Sequence, residues 1–168
     1  LAFILIPLLA SVTLSAQTTA GDFVVAPSVL ELTSEINSLL EQEVTFSNNT
    51  DFPLLVSAEL ETYRHPTQSA IIAPRSALEF VTVDETTKAV GPHEQVIFRI
   101  DINIPALPEQ GSYFAMLLLK PSLPPEYYQQ YSTQVTPQLA SIIAINIIDP
   151  DVPAKTEFLN ISSLDRHD

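Results

Sequence analysis

The sequence predicts an all-β domain, an antiparallel β-sandwich of about seven or eight strands, preceded by a signal-peptide helix. Three observations carry that expectation. Helical periodicity is almost absent beyond residue 20, whereas short runs rich in Val, Ile, Leu, Phe and Thr recur. Turn-forming residues separate these runs at intervals of ~8–12 positions. Fourteen prolines stand against three glycines, and apart from Pro7 the prolines fall between or beside the apolar runs. Pro cannot donate to a sheet ladder, so that placement suits strands alternating with loops. No helical segments lie between the runs, which excludes a βαβ architecture, and no fixed-period repeat is visible.

Residues 1–20, LAFILIPLLASVTLSAQTTA, carry no charge. The apolar stretch ends at Leu14, short of the ~20 residues a spanning helix needs. Small residues follow it, with Ala16 and Ala20 both suited to the position before a signal-peptidase cut. The basic start that should precede such a core is missing and the chain opens on Leu, so the expectation is a fragment of a longer reading frame. The expected organisation is a leader over 1–20, a sandwich over 21–149, and a linker with the start of a second domain over 150–168. Asp149-Pro150-Asp151-Val152-Pro153 reads as that linker, and KTEFLNI (155–161) as an opening strand. The leader places the protein outside the cytoplasm, in a periplasm or at the cell surface. Membrane contact is expected only through the leader or through a C-terminal anchor beyond Asp168.

Within the sandwich, residues 22–25 and 29–33 read as one strand broken at Ala26-Pro27-Ser28. Residues 43–47 follow and end in Asn48-Asn49-Thr50-Asp51, a turn signal because Asn and Asp tolerate left-handed backbone and bond locally. Over 54–63, Leu54, Val56, Ala58 and Leu60 alternate with Ser57, Glu59 and Glu61, as in a half-buried strand. Residues 64–77 read as loop with a short edge strand at Ile71-Ile72, and 78–83 as the next strand. Gly91-Pro92-His93-Glu94 turns into 95–104, where Val96, Phe98, Ile100 and Ile102 alternate with Arg99, Asp101 and Asn103. Pro105, Pro108 and Gly111 mark the following turn. The runs SYFAMLLLK (112–120) and LASIIAINII (139–148) are nearly continuous in apolar character, which predicts partial cover on both faces.

Twenty acidic against seven basic residues give a formal net charge of -13. Nucleic acid is excluded as a partner, since its binding needs Lys and Arg to neutralise phosphates, and electrostatic docking on anionic lipid is excluded with it. There is no cysteine, so disulfides, thiol catalysis, thiolate zinc sites and iron–sulfur clusters are all ruled out.

Catalytic and metal signals are missing as well. His65, His93 and His167 each sit near a turn without a ligand-spaced neighbour. No Gly-x-Ser-x-Gly elbow and no phosphate-cradling glycine loop occurs. Glu59 and Glu61 could share a strand face as an acid–base pair of a glycan hydrolase, yet a solvated sandwich face explains them better. Asp149 and Asp151 supply two of the 6–8 oxygens that calcium wants. Asn48-Asn49-Thr50 and Asn160-Ile161-Ser162 match the glycosylation pattern, but Asn is common in turns. The expectation is therefore no enzyme, no cofactor and no metal.

Two features point to binding instead. The connection PSLPPEYYQQYSTQVTPQ (121–138) is long for a sandwich and carries Tyr127, Tyr128 and Tyr131; long loops on rigid scaffolds often carry function and Tyr suits interfaces. In the run 139–148, Leu139, Ile143, Ile145 and Ile147 point one way, with Ala140, Ile142, Ala144 and Ile148 opposite. That run is either a core strand or an apolar edge open to β-augmentation.

The stretches FVVAPSVLEL (23–32), EVTFSNNTDFPLLVSAEL (43–60), GPHEQVIFRIDI (91–102), LPEQGSYFAMLLLKPSLPP (107–125) and QLASIIAINI (138–147) together resemble the immunoglobulin-like domain of the periplasmic pilus chaperones, the PapD-like fold. The resemblance covers roughly residues 22–149 and lies in strands and corners. It implies a last strand at or near a sheet edge. In that family an Arg on the first strand and a Lys on the last grip a subunit's carboxylate. Here Pro27-Ser28-Val29-Leu30 and Leu139-Ala140-Ser141-Ile142-Ile143 hold no basic residue, so the clamp lacks its counter-charge. The pattern is also similar to membrane-proximal domains of Gram-positive surface proteins that bind peptidoglycan or partner proteins. The resulting expectation is a non-enzymatic exported bacterial module, structural, adhesive or protein-binding, with a protein or cell-wall partner. The alternative is a soluble periplasmic chaperone for fibre subunits that uses its last strand as donor.

Overall fold

A computed structural model describes residues 18–63, 75–106, 108–127 and 137–148. Among these residues the chain runs through β1 (Thr18–Ala20), β2 (Phe23–Ala26), β3 (Val29–Glu35), β4 (Leu39–Asn48), β5 (Leu54–Glu61) and β6 (Arg75–Ser76). It continues through β7 (Val81–Val83), β8 (Thr87–Val90), β9 (Gln95–Asn103), β10 (Gly111–Ser122), a single 3₁₀ turn (Pro125–Tyr127) and β11 (Leu139–Ile148). The first sheet has the order β1-β2-β4-β9-β7 and the second β3-β11-β10-β5-β8, with β6 beside β10. Pairing is antiparallel except for β3 on β11 and β6 on β10. The fold is thus the immunoglobulin-like sandwich that the strand pattern predicts.

Period-two alternation builds the core between the sheets. Val44 and Phe46 of β4 and Phe98, Ile100 and Ile102 of β9 face Val56 and Ala58 of β5, Ala115, Leu117 and Leu119 of β10, and Ile143, Ile145 and Ile147 of β11. Phe46 stacks on Phe23 with ring centroids 5.9 Å apart.

Two of the short crossings between the sheets, β2 to β3 and β7 to β8, are held by side-chain bonds. Between β2 and β3 the chain crosses at Ala26–Pro27, a cis peptide. That crossing is pinned to β11, because the Ser141 hydroxyl donates to the Pro27 carbonyl at 2.8 Å and the Ile142 N–H to the Ser28 carbonyl at 2.8 Å. Ser141 is fully buried, so this bond satisfies a hydroxyl that would otherwise be costly to bury. Between β7 and β8 the crossing is held by Lys88. Its ammonium donates to the Ile97 carbonyl at 2.8 Å, lies 3.4 Å from Asp84 Oδ2 and sits over the Phe98 ring.

At the entry to β10, the Tyr113 hydroxyl donates to the Glu109 carbonyl at 2.8 Å, the tyrosine-corner arrangement of immunoglobulin-like sandwiches. Phe80 packs edge-on against that ring at 5.1 Å. Arg75 lies over it and donates to the Gln110 carbonyl at 2.8 Å. Gly111, at φ 133, supplies a backbone conformation that a side chain would strain.

Several boundaries differ from the sequence expectation. Residues 78–80 form a turn instead of a strand, closed by the Phe80 N–H on the Ala77 carbonyl at 2.9 Å; their apolar side chains serve packing. β4 starts four residues before the expected position 43, and β8 lies where no strand was expected. Thr18–Ala20, inside the segment assigned to the leader, form β1 and pair with Phe23–Val25 through a Gly21-Asp22 hairpin turn. Gly21 at φ 61 in the first turn position matches a type II′ hairpin. The Ile71-Ile72 strand, the linker at 149–153 and the run 155–161 lie outside the described residues.

Candidate interaction surface

The outward-facing residues of the two sheets differ in chemistry. On the first sheet, β4 presents Glu41 and Glu43 and β9 presents Gln95, Arg99, Asp101 and Asn103, all exposed. Arg99 lies 3.7 Å from both Glu41 and Glu43. This face is mostly charged and polar, with Leu39 and Ile97 as separate exposed apolar residues on it.

The second sheet turns apolar side chains outward. Phe114, Met116 and Leu118 of β10 stand opposite Ala144, Ile142 and Ala140 of β11 in register, and Ile142 pairs onward with Val29 of β3. Most of these are half-buried, while Val29 and Ile148 are exposed. The Tyr63 ring tilts against Phe114 at 5.7 Å. Along the β3 side lies a groove of about 380 Å³, floored by Phe114, Ala144 and Ile145 and walled by Glu31, Thr33, Ser112 and Asn146.

The structure distributes the sequence candidates unevenly. Leu139, Ile143, Ile145 and Ile147 point into the core, each at 1 % exposure or less. Their strand is internal, paired to β10 along its whole first part and to β3 over Ile142–Ile148. Among the described residues β3 and β8 are the edges of this sheet, so of the two readings of the last strand the core strand holds, and the edge beside it is β3. Tyr127 ends the 3₁₀ turn, half-buried, with its N–H on the Pro124 carbonyl at 3.0 Å; Tyr128 and Tyr131 lie outside the described residues.

Glu59 is in an ion pair with Lys120 on the outer face of the second sheet, and Glu61 is exposed beyond it. Asn48 is fully buried with its amide bonded to the Phe52 and Gly91 carbonyls, which closes it to glycosylation. His93 is exposed and meets Asp51 at 2.9 Å. His65, His167, Asp149, Asp151 and Asn160 fall outside the described residues. The outward Phe114 and Met116 and the acidic Glu31 and Glu35 were missed as site residues; the near-continuous apolarity of 112–120 was the available signal for the first two.

No protein-family model and no curated protein sequence matches the chain. Solved structures do. A PapD-like domain of human CEP192, its seventh, superposes with a TM-score of 0.58 over 85% of this chain and 99% of that one, at 11% identity. The fold is PapD-like. The YadV chaperone matches this PapD-like domain at a TM-score of 0.51 and 13% identity over 75% of the chain, which spans about half (52%) of the chaperone's length. A family 123 glycoside hydrolase from Clostridium perfringens matches at 0.54 and 7% identity, over 73% of this chain but only 23% of the enzyme. At these identities the likeness is one of fold alone.

Proposed function

We propose that this PapD-like domain is a non-enzymatic protein-interaction module of the bacterial cell envelope, exported by its apolar leader. The observation that carries the reading is the contrast between the two outer faces. Monomeric proteins rarely leave contiguous apolar surface uncovered unless it binds something; the strip along Phe114, Met116 and Ile142 is contiguous, whereas on the other sheet the exposed Leu39 and Ile97 stand apart, with Arg99 and Asp101 between them. The chain's net charge of -13 favours protein or wall partners over nucleic acid. The likeness to the YadV chaperone supports a protein-binding role. Tyr127, Tyr128 and Tyr131 are proposed as further partner contacts on the sequence argument alone, from the length and Tyr content of their connection.

The test is site-specific photocrosslinking in the native host, with a benzophenone side chain at Phe114 or, as control, at Glu43, followed by cell fractionation. A discrete adduct from position 114 in the envelope fraction, without its counterpart from 43, supports the reading. Equal labelling from both faces, or a cytoplasmic protein, refutes it.

A further inference from the structure

We propose that the free edge of β3 takes up an extended segment of a partner protein as an added strand, and that this segment carries two basic residues four positions apart with an apolar residue midway. The inference rests on the interaction-module reading and specifies its partner.

The backbone register defines the edge. The Ile142 N–H donates to the Ser28 carbonyl at 2.8 Å, and the Ile36 N–H donates to the Ile148 carbonyl at 3.2 Å. In the parallel ladder between these two bonds, the even-numbered residues Leu30, Leu32 and Ser34 turn their backbone groups to β11. Val29, Glu31, Thr33 and Glu35 therefore turn theirs away from the sheet. Among the described residues β3 pairs with β11 alone, which leaves a row of outward N–H and C=O groups, a template for another strand.

Proline, lysine and bulges, which commonly blunt such an edge, do not occur in β3, whose register with β11 runs unbroken from 29 to 35. The charges present are Glu31 and Glu35, exposed on the outer face, and neither has an ion-pair partner among the described residues. Two acidic side chains on one strand face repel a second copy of the same edge, since like charges directly opposite destabilise a strand pair. They favour a strand whose facing residues are Lys or Arg.

The spacing follows from geometry. Residues facing Glu31 and Glu35 on an added strand lie four apart on the same face. The residue between them faces Thr33, beside the groove floored by Phe114 and Ala144, where an apolar side chain can lie. The partner signature is thus basic–x–apolar–x–basic.

The experiment uses the protein with two synthetic peptides, acetyl-Thr-Lys-Thr-Leu-Thr-Lys-Thr-amide and its counterpart with Glu for both Lys. Binding is followed by calorimetry and by residue-resolved amide exchange. The expected result is protection of the Glu31, Thr33 and Glu35 amides by the Lys peptide, with at least tenfold weaker binding of the Glu peptide. The double variant Glu31→Lys/Glu35→Lys should reverse that preference. Thr33→Pro removes an N–H that the fold does not use and should abolish binding with little loss of stability; if that variant fails to fold, the charge reversal decides, because both side chains are exposed. Equal affinity for the two peptides, or unchanged exchange at the three amides, overturns the proposal. A protein that crosslinks through position 114 yet shows no strand uptake on β3 leaves the module reading intact and sinks this inference alone.

Discussion

The side-chain amide of Asn48 reaches the carbonyl oxygen of Gly91, 43 positions along the chain, at 2.9 Å. Its second N–H serves the Phe52 carbonyl at 2.9 Å, and its oxygen accepts from the Thr50 N–H at 3.0 Å and the Thr50 hydroxyl at 2.6 Å. All four hydrogen-bonding positions of the amide are used, in a site with no solvent exposure. One residue thereby ties the β4–β5 turn to the β8–β9 turn.

Replacing it should be expensive. Asn48→Ala strands the Thr50 N–H and leaves the Phe52 and Gly91 carbonyls with only the Thr50 hydroxyl at 3.1 Å and the Glu94 N–H at 3.3 Å, and we expect a loss of roughly 2–3 kcal/mol. Urea unfolding with an unchanged m-value checks it. Asn48→Asp should cost a similar amount, because a carboxylate cannot donate to Phe52 or Gly91. A loss below ~0.5 kcal/mol for both would mean the two turns are held by other contacts.

The neighbours Ile142 and Ile145 face opposite sides of the second sheet, one outward and half-buried, one fully buried. Ile145→Asp should abolish cooperative folding, since an unpaired carboxylate in a packed core costs more than the ~5–15 kcal/mol stability of a domain readily absorbs. Ile142→Asp should leave a folded protein that no longer crosslinks through position 114. Circular dichroism melts of the two variants separate these outcomes.

Asp84 lends the second sheet crossing a pH dependence. Partial desolvation pushes its carboxyl up, but the Glu85 N–H, the Lys88 ammonium with its charge and the Arg99 N–H outweigh that and hold it below its ordinary 3.8. The folded value lies beneath the unfolded one, so the stabilisation is fully present above about pH 3.8 and is lost as pH falls through the folded value. Asp84→Asn should therefore lower stability at pH 7 and matter progressively less toward pH 3. A difference between the two proteins that stays constant over that range would remove Asp84 as the source.

β1 also distinguishes the two candidate cuts in the leader. Processing after Ala16 keeps Thr18–Ala20 paired with β2, whereas processing after Ala20 discards that strand. We expect the exported protein to begin at Gln17, as read by N-terminal sequencing. A start at Gly21 would show that the hairpin is dispensable.

The sequence made the long strands legible, because alternation in β5 and β9 and unbroken apolarity in β11 leave little choice of period; β11 occupies the expected 139–148. β8 was hidden because Lys88 occupies an inward position, opposite Val56, and only its ammonium escapes to the rim at Asp84 and Ile97. The start of β4 was hidden by Leu39, an apolar residue left 74% exposed. Residues 78–80 misled in the other direction, since apolar side chains in a tight turn look like a strand. The candidate site was less legible than the fold. Whether Ile143 lies at an edge or in the middle of a sheet depends on β3 crossing over beside it, and alternation within one strand carries no information about which strand lies next.

The Ser141 bond to Pro27 spans 114 positions, and the parallel ladder beyond it joins the first long strand of the second sheet to the last. A chain emerging from the ribosome or a membrane pore therefore holds β3 without its partner until the final strand arrives. Contacts of such separation form slowly, after most of the loop-closure entropy has been lost. The sandwich thus stays open at this seam until β11 has been made, and its closure is a late, single event in which the two strands of the second sheet most distant in sequence meet.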